Sequence, residues 1–385
     1  MRILIAPNAF KGSMSAGEVA ELTAGHLATS LEGLGVAGAE IICAPMADGG
    51  DGTLDILAQF GYQPTPCQGA DALMRPQPTR FAVKGEVAVL ELAQTCGLAG
   101  IPIEDRSPWD SSTLGLGLAA RAALESGARH IYIAVGGSAS VDGGLGLLAG
   151  LGYELLDPAR HPVDPTARGL LSVATIESSS LDSVIKDSVI KDCEWTILVD
   201  VNSPACGPDG AALVFGPQKG FTMQECLMLD DAMARWCSIA GGLGGGAVLQ
   251  NLPGTGAAGG TPVAAVGVLG ARIESGAQAL AQMAGLAELI AGVDAVVIGE
   301  GCLDEQTLAG KAPSVVAALA RESGTRVLAI AGASELTPAM ALALGIRDRR
   351  DIATLTDAAG STTLALAEPR RWLSVACQSL AARFQ

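Results

Sequence analysis

The sequence predicts an α/β protein of two or three domains built on parallel sheets, an expectation that rests on its length, its composition and its strand pattern. At 385 residues the chain exceeds what one core holds, at ~150 residues per domain. Hydrophobic residues make up 49% of it, enough for large buried sheets. Short β-branched runs (RILIAP, EIICAPM, HIYIAVGG, WTILVDV, DAVVIGEG, RVLAIAGA and DIATLTDA) alternate with helical patterns. Such near-continuous apolar strands indicate sheets buried on both faces.

The elements follow in order. MRILIAPNAFKG has too short an apolar run before Pro7 for a signal peptide and reads as the first strand. SAGE at 15–18 has the Ser-x-x-Glu form of a capping box, which predicts a helix from Ser15 to about Leu31 and leaves Lys11, Gly12 and Ser13 in the preceding loop. Between about 64 and 92 the pattern becomes a Pro-containing linker, then TRFAVKGEVAVLEL, two alternating runs around Gly85 and Glu86. These predict an antiparallel hairpin and the entry to a second domain. DSVIK is repeated in tandem at 182–191, fits neither a helical nor a strand period, and reads as a lengthened surface connection.

Residues 236–271 lack Asp, Glu, Lys and Arg, but their glycines, Pro253 and Pro262 interrupt any spanning run of ~20 apolar residues. They are expected to form buried loop and strand, with no membrane partner. Strand–helix alternation resumes near DAVVIGEG at 294, so the first domain reads as discontinuous, interrupted by a large insertion.

Composition narrows the function. Lys plus Arg total 24 against 40 Asp plus Glu, a net charge of −16 that argues against nucleic-acid and anionic-membrane partners. The 9 cysteines are scattered without a C-x-x-C pair, as expected of reduced thiols in a cytoplasmic protein. His26, His130 and His161 lack zinc-ligand spacing.

Several strands run straight into glycine accompanied by a carboxylate, hydroxyl or lysine: APNAFKGS, MADGGDGT, VGGSASVDGG, VDVNSP and IGEGCLDEQT. Ligands of open α/β sheets bind outside the carboxyl ends of strands, so this pattern predicts one composite site. Asp48, Asp51, Asp142, Asp200, Glu300 and Asp304 are the cation candidates, hard oxygen ligands that suit Mg²⁺ carried in with nucleotide phosphates. Lys11, Lys219 and Lys311 are the anion candidates, with solvated loop positions as the plain alternative for each. GTGAAGG at 254–260 suits a phosphate cradle or close backbone packing equally, and neither it nor TLAGKAP is a Walker A motif. GGSAS is not G-x-S-x-G and has no histidine nearby, which disfavours a serine hydrolase.

Taken together, ILIAPNAFKGSMSA, PMADGGDGT, VGGSASVDGG, LVDVNSPACGPDGAALVFGPQKG, GTGAAGG and DAVVIGEGCLDEQTLAGKAP resemble the type 1 glycerate kinases, in order and over nearly the whole chain. The resemblance implies a Rossmann-like parallel-sheet domain built from both chain ends (1–64 plus 292–385) and an inserted mixed α/β domain (65–291), with the active site in the cleft between them. It also implies ATP-dependent phosphorylation of D-glycerate, at the 2-hydroxyl, with Mg²⁺.

On this resemblance Asp200 would take the hydroxyl proton or orient the hydroxyl. Asp48 and Asp304 would hold Mg²⁺ directly or through water, and Lys11 or Lys311 would neutralise phosphate or the glycerate carboxylate. Ser13, Ser138 and the amides of Gly49, Gly50, Gly136 and Gly137 would form an anion cradle, with Gly256, Gly259, Gly301 and Lys311 completing the nucleotide set. Three positions depart from the family pattern: Asp51 in place of glutamate, Val141 in place of asparagine, and Ser203 in place of asparagine. Val141 would remove an amide from the ligand, which bears on acceptor preference. The rivals are a kinase of a related small hydroxy acid, a non-catalytic nucleotide- or metabolite-binding relative, and a metal-dependent phosphatase, which would not need ATP and for which no Asp-x-Asp motif is present.

Overall fold

The apolar runs form strands. The computed structural model describes residues 1–178 and 187–385. Its strands are β1 (Arg2–Pro7), β2 (Glu40–Cys43), β3 (Gln63–Ala70), β4 (Pro76–Lys84), β5 (Val87–Glu91), β6 (His130–Ala134), β7 (Glu154–Leu156), β8 (Thr175–Glu177), β9 (Glu194–Val199), β10 (Arg272–Ser275), β11 (Ala295–Leu303), β12 (Arg326–Ser334) and β13 (Ile352–Thr354). The chain divides into two units, one of Met1–Asp48, Asp55–Phe60 and Ala277–Gln385, the other of Gly49–Leu54 and Gly61–Gly276.

In the first unit the sheet runs β13-β12-β11-β1-β2, parallel throughout. Ile3, Leu4, Ile5, Val296, Val297 and Ile298 are fully buried, as the central strands of a sheet covered on both faces must be. From β1 the chain builds outward to β2 on one side, whereas β11, β12 and β13 build outward on the other. Connections diverge where that order reverses, between β1 and β11, and leave a crevice at the carboxyl ends of those strands. The Ala16–Gly33 helix starts where the cap residue predicts, with the Ser15 hydroxyl accepting from the Glu18 amide at 3.2 Å. Its Val19, Ala20, Leu27 and Leu31 are buried with the sheet in one core. Glu18 pairs with Arg370 at 2.6 Å.

In the second unit the sheet runs β10-β9-β6-β5-β4-β3, with β5, β6, β9 and β10 parallel and β3 and β4 antiparallel; β7 and β8 form a separate hairpin. Lys84 faces Val87 across the Gly85–Glu86 turn, as the hairpin pattern requires. The segment read as a Pro-containing linker is a strand instead. β3 is an edge, and Pro64 and Pro66 lie in the same phase, so both ring nitrogens face the side with no neighbouring strand, where no donor is needed.

The expectation of loop and strand at 236–271 is also corrected, because the segment is largely helical: the end of Met223–Ala240, then Gly242–Asn251 and Ala257–Gly267, the last broken by a kink where Ala258, Gly259 and Gly260 take left-handed backbone. Glycine weakens a helix in isolation, but here it lets helices approach: a Cβ on Gly246 would lie 2.6 Å from the Ser238 Cα. Among the described residues no helix is long and apolar enough to cross a membrane. The first DSVIK copy, 182–186, lies outside the described residues, and the second falls in the Asp187–Asp192 helix, a helical period that the sequence reading did not find.

Candidate functional site

In the first unit a cavity of about 320 Å³ opens at the carboxyl ends of β1, β11, β12 and β13. Its polar lining comes from Asn8, Lys11, Ser13, Asp48, Glu300, Asp304 and Lys311, and the segment after β13 contributes Leu355, Thr356, Thr362, Ala365, Leu366 and Pro369. Gly301, Cys302, Gly332 and Ala333 line it from the strand ends.

Each charged group is held by its own local structure. After β1, Phe10 and Met14 exchange backbone hydrogen bonds of 3.0 Å and are buried, which projects Lys11 outward on the intervening turn. The Ser13 hydroxyl donates to the Phe10 carbonyl at 2.9 Å. Asp48 follows β2 and uses both oxygens: Oδ1 accepts from the Ala312 amide (2.7 Å) at the start of the Ala312–Ser323 helix, and Oδ2 accepts from Asn8 Nδ2 (2.6 Å). Asp48 therefore ties the β1 loop to a helix amino end, where negative charge is favourable.

Asp304 caps the short Glu305–Ala309 turn, its Oδ1 accepting from the Thr307 amide at 3.1 Å. The Thr307 hydroxyl accepts from the Asp304 amide (3.0 Å) and donates to Glu300, linking the two carboxylates. Burial pushes the Glu300 carboxyl above its usual range, aided by the charges of Asp48 and Asp304 and opposed by the Thr307 hydrogen bond and Lys311. Lys311 Nζ donates to Gln306 Oε1 at 3.3 Å.

The second unit collects the remaining glycine loops and spends most of their polar groups internally. Gly136 donates to the Gly49 carbonyl (3.3 Å) and packs so closely that a Cβ would lie 2.5 Å from the Gly50 Cα. Glu91, at the end of β5, accepts from the Gly52 and Leu54 amides, both at 3.0 Å, and burial raises its carboxyl above the usual range. Gly137 has a left-handed backbone (φ 76°) and its carbonyl accepts from the Leu98 amide at 2.8 Å.

Several expectations change here. The amides of Gly254 and Gly256 both donate to the Ser203 carbonyl, at 3.1 and 2.9 Å, so Gly256 does not offer its amide to a phosphate. Gly259 is a packing residue, since a Cβ there would lie 2.0 Å from the Ser140 carbonyl oxygen. Asp142 is not a cation ligand: fully buried, it accepts from the Thr113 amide and hydroxyl (both 2.7 Å), the Ser140 hydroxyl, and the Gly144 and Gly146 amides (all 3.2 Å). Lys219 is a loop anchor, 4% exposed, donating to the Ser140 carbonyl (2.6 Å) and the Ser138 hydroxyl (3.3 Å). Burial lowers its ammonium to about 8, with the charge of Asp142 opposing the shift. Val141 is fully buried among core residues, so its side chain packs inside the second unit. Ser203 acts through its carbonyl, which any residue supplies.

The structure thus gathers Lys11, Ser13, Asp48, Gly301, Asp304 and Lys311 around one cavity and places Gly49, Gly50, Gly136, Gly137, Ser138, Gly256 and Gly259 in the second unit. Asp200 is exposed directly after β9, also in the second unit. Sequence reasoning missed Asn8, Thr307 and Glu91. Asn8 was open to discovery, since it follows a strand directly before Lys11; the other two owe their roles to partners that folding supplies.

A sequence profile described as the glycerate kinase family matches residues 3–385. The chain belongs to the glycerate kinase family. It is 34% identical to the glycerate kinase of Bacillus subtilis (strain 168) over 335 residues, covering 86% of this chain and 85% of that one. It is 33% identical to the glycerate 2-kinase of Escherichia coli (strain K12) over 341 residues, again 86% and 85%. The crystal structure of a protein assigned as glycerate kinase 2 from Salmonella typhimurium LT2 superposes with a TM-score of 0.79 at 29% identity, covering 100% of this chain and 98% of that one. This glycerate kinase family member therefore shares its α/β fold with that structural neighbour.

Proposed function

We propose that this chain transfers the γ-phosphate of ATP to the 2-hydroxyl of D-glycerate, releasing 2-phospho-D-glycerate and ADP. The observation that carries the reading is the charge layout of the first-unit cavity, with Lys11 and Lys311 set among Asp48, Glu300 and Asp304 at the strand ends. Phosphoryl transfer asks for in-line placement, neutralised phosphate oxygens and an acceptor for the hydroxyl proton, and for little covalent chemistry. Lys11 and Lys311 supply the positive charge.

Mg²⁺ belongs to the nucleotide substrate, and an ion so carried needs one or two protein carboxylates beside the phosphates. Among the described residues no group of 3 or more His, Cys, Asp or Glu is placed to hold a metal ion. Asp304 suits direct contact because its cap engages Oδ1, whereas Asp48, with both oxygens engaged, would act through water. When bound, the ion offsets phosphate charge. Asp200 is the proposed proton acceptor, a role excluded if Asp200→Asn keeps full turnover. The scattered cysteine spacing, without a C-x-x-C pair, is the basis for proposing a cytoplasmic setting.

The test is ADP release with MgATP and D-glycerate, L-glycerate as control, and phosphorus NMR of the product. Turnover confined to D-glycerate with a 2-phosphate ester is expected. Folded, ATP-binding protein that leaves D-glycerate untouched would overturn the acceptor, and a 3-phosphate product would overturn the position.

A further inference from the structure

The cavity has two chemistries. Lys11, Asp304 and Lys311 bring charge to its lining, whereas Leu355, Ala365, Leu366 and Pro369, from the segment that follows β13, bring apolar surface. A phosphate or a small hydroxy acid gains nothing from an apolar wall and loses hydration against it. Leu366 is 65% exposed, an apolar side chain left at the cavity edge with no protein cover. The strand ends add Gly301 and Gly332, next to the paired residues Cys302 and Ala333. The matching ligand is anionic at one end and flat and apolar at the other. Its polar end belongs where β1 and β11 diverge and its apolar end beside β13, one layer further along the sheet.

We infer that the apolar flank is the nucleoside subsite: the base of ATP lies against Leu366, Leu355 and Pro369, and its phosphates run toward Lys11 and Lys311. The inference rests on the kinase reading above and adds to it which unit binds the base and which residues it touches. Thr356 lies on the same flank; its hydroxyl donates to the Gly332 carbonyl at 3.0 Å, so its oxygen still accepts and is placed to receive a base amino group or a ribose hydroxyl. D-Glycerate is then excluded from this side of the cavity.

Calorimetry on the full chain, with ADP and inorganic triphosphate as separate probes, tests this at Leu366, whose exposure makes substitution harmless to the core. Leu366→Asn is expected to raise the ADP Kd by roughly tenfold, the usual scale for one lost apolar contact of this size, while the triphosphate Kd stays within twofold. Leu366→Phe, which keeps an apolar face, is expected to retain ADP affinity. Photolabelling with 8-azido-ADP is expected to mark peptides within residues 355–369. Labelling elsewhere, an unchanged ADP Kd in Leu366→Asn, or no ADP binding by the unaltered chain would each overturn the assignment, as would an effect of Leu366→Asn on D-glycerate KM with none on ADP. ADP binding with the expected Leu366 dependence but no transfer to D-glycerate would sink the kinase reading and leave the nucleoside subsite standing.

Discussion

Asp48→Ala removes two hydrogen bonds at once, the acceptor for the Ala312 amide (2.7 Å) and the acceptor for Asn8 Nδ2 (2.6 Å). Loss of a helix-capping acceptor costs about 1 kcal/mol. Loss of a charge-assisted bond costs about 1.5 kcal/mol. Asp48 is only half-buried, so water recovers part of this, and the net expectation is ~2 kcal/mol, or roughly 4–8 °C on the melting transition of the first unit. Hydrogen exchange gives the local readout. The Val315 amide, which donates to the Lys311 carbonyl at 3.2 Å in the first turn of the helix, is expected to exchange roughly tenfold faster or more. Asp48→Asn keeps an oxygen for Ala312 but sets a nitrogen against Asn8, so about half the loss is expected. Unchanged exchange at Val315 together with unchanged stability in Asp48→Ala would refute the anchoring role and return Asp48 to being a solvated loop carboxylate.

In steady-state kinetics, Lys11→Ala and Lys311→Ala are each expected to lower kcat/KM for ATP by roughly 100-fold, the usual scale for one lost phosphate-stabilising donor; a change under about threefold would assign that lysine to solvent. Lys219 carries a pH signature. Its folded value of about 8 lies below the ordinary 10.5, a gap of 10.5 − 8 = 2.5, so the unfolded chain holds more protons between these limits. The penalty for burying the charge, about 3 kcal/mol, is full below pH 8 and is relieved as pH rises toward 10.5. Lys219→Met is expected to lack this component, so the stability difference between the variant and the parent chain should shift against the variant from pH 7.5 to 9 in urea titrations; parallel curves would contradict it. Gly259→Ala places a methyl 2.0 Å from the Ser140 oxygen at a φ of 66° and is expected to cost roughly 3 kcal/mol or more by the same titration.

What the sequence made legible was whatever depends on near neighbours in the chain. Ser15 caps its helix because the donor it needs is three residues away, Gly85 and Glu86 turn between strands that their own periodicity announces, and RILIAP or AVVI can only be a strand buried on both faces. Where a local signal was misleading, tertiary position was the reason. Pro64 and Pro66 argue against a strand until it is known to be an edge, and the Gly242–Asn251 segment argues against a helix until Ser238 is seen where a side chain would go.

The site shows the same division more sharply. Asp48, Asp142 and Asp304 look alike in sequence, each a carboxylate near glycines or a turn after a strand. Thr113, Ser140, Gly144 and Gly146 absorb Asp142 completely, and only contacts such as the one from Thr113, brought in from another part of the chain, mark it as structural. Asp304 spends its cap on the adjacent Thr307 and still lines the cavity. Asp48 lies between them, lining the cavity while holding a helix that begins at Ala312. The glycine loops divide the same way: Gly256 and Gly259 are fixed by Ser203 and Ser140, whereas Gly301 lines the cavity, where a Cβ would lie in ordinary contact 3.4 Å from the Lys11 amide nitrogen. A glycine beside a carboxylate therefore marks a place where backbone comes close to something. Whether that something is ligand or more protein is set by residues far along the chain, so an assignment of function to such a loop has to be made group by group, from what each amide and each oxygen already holds.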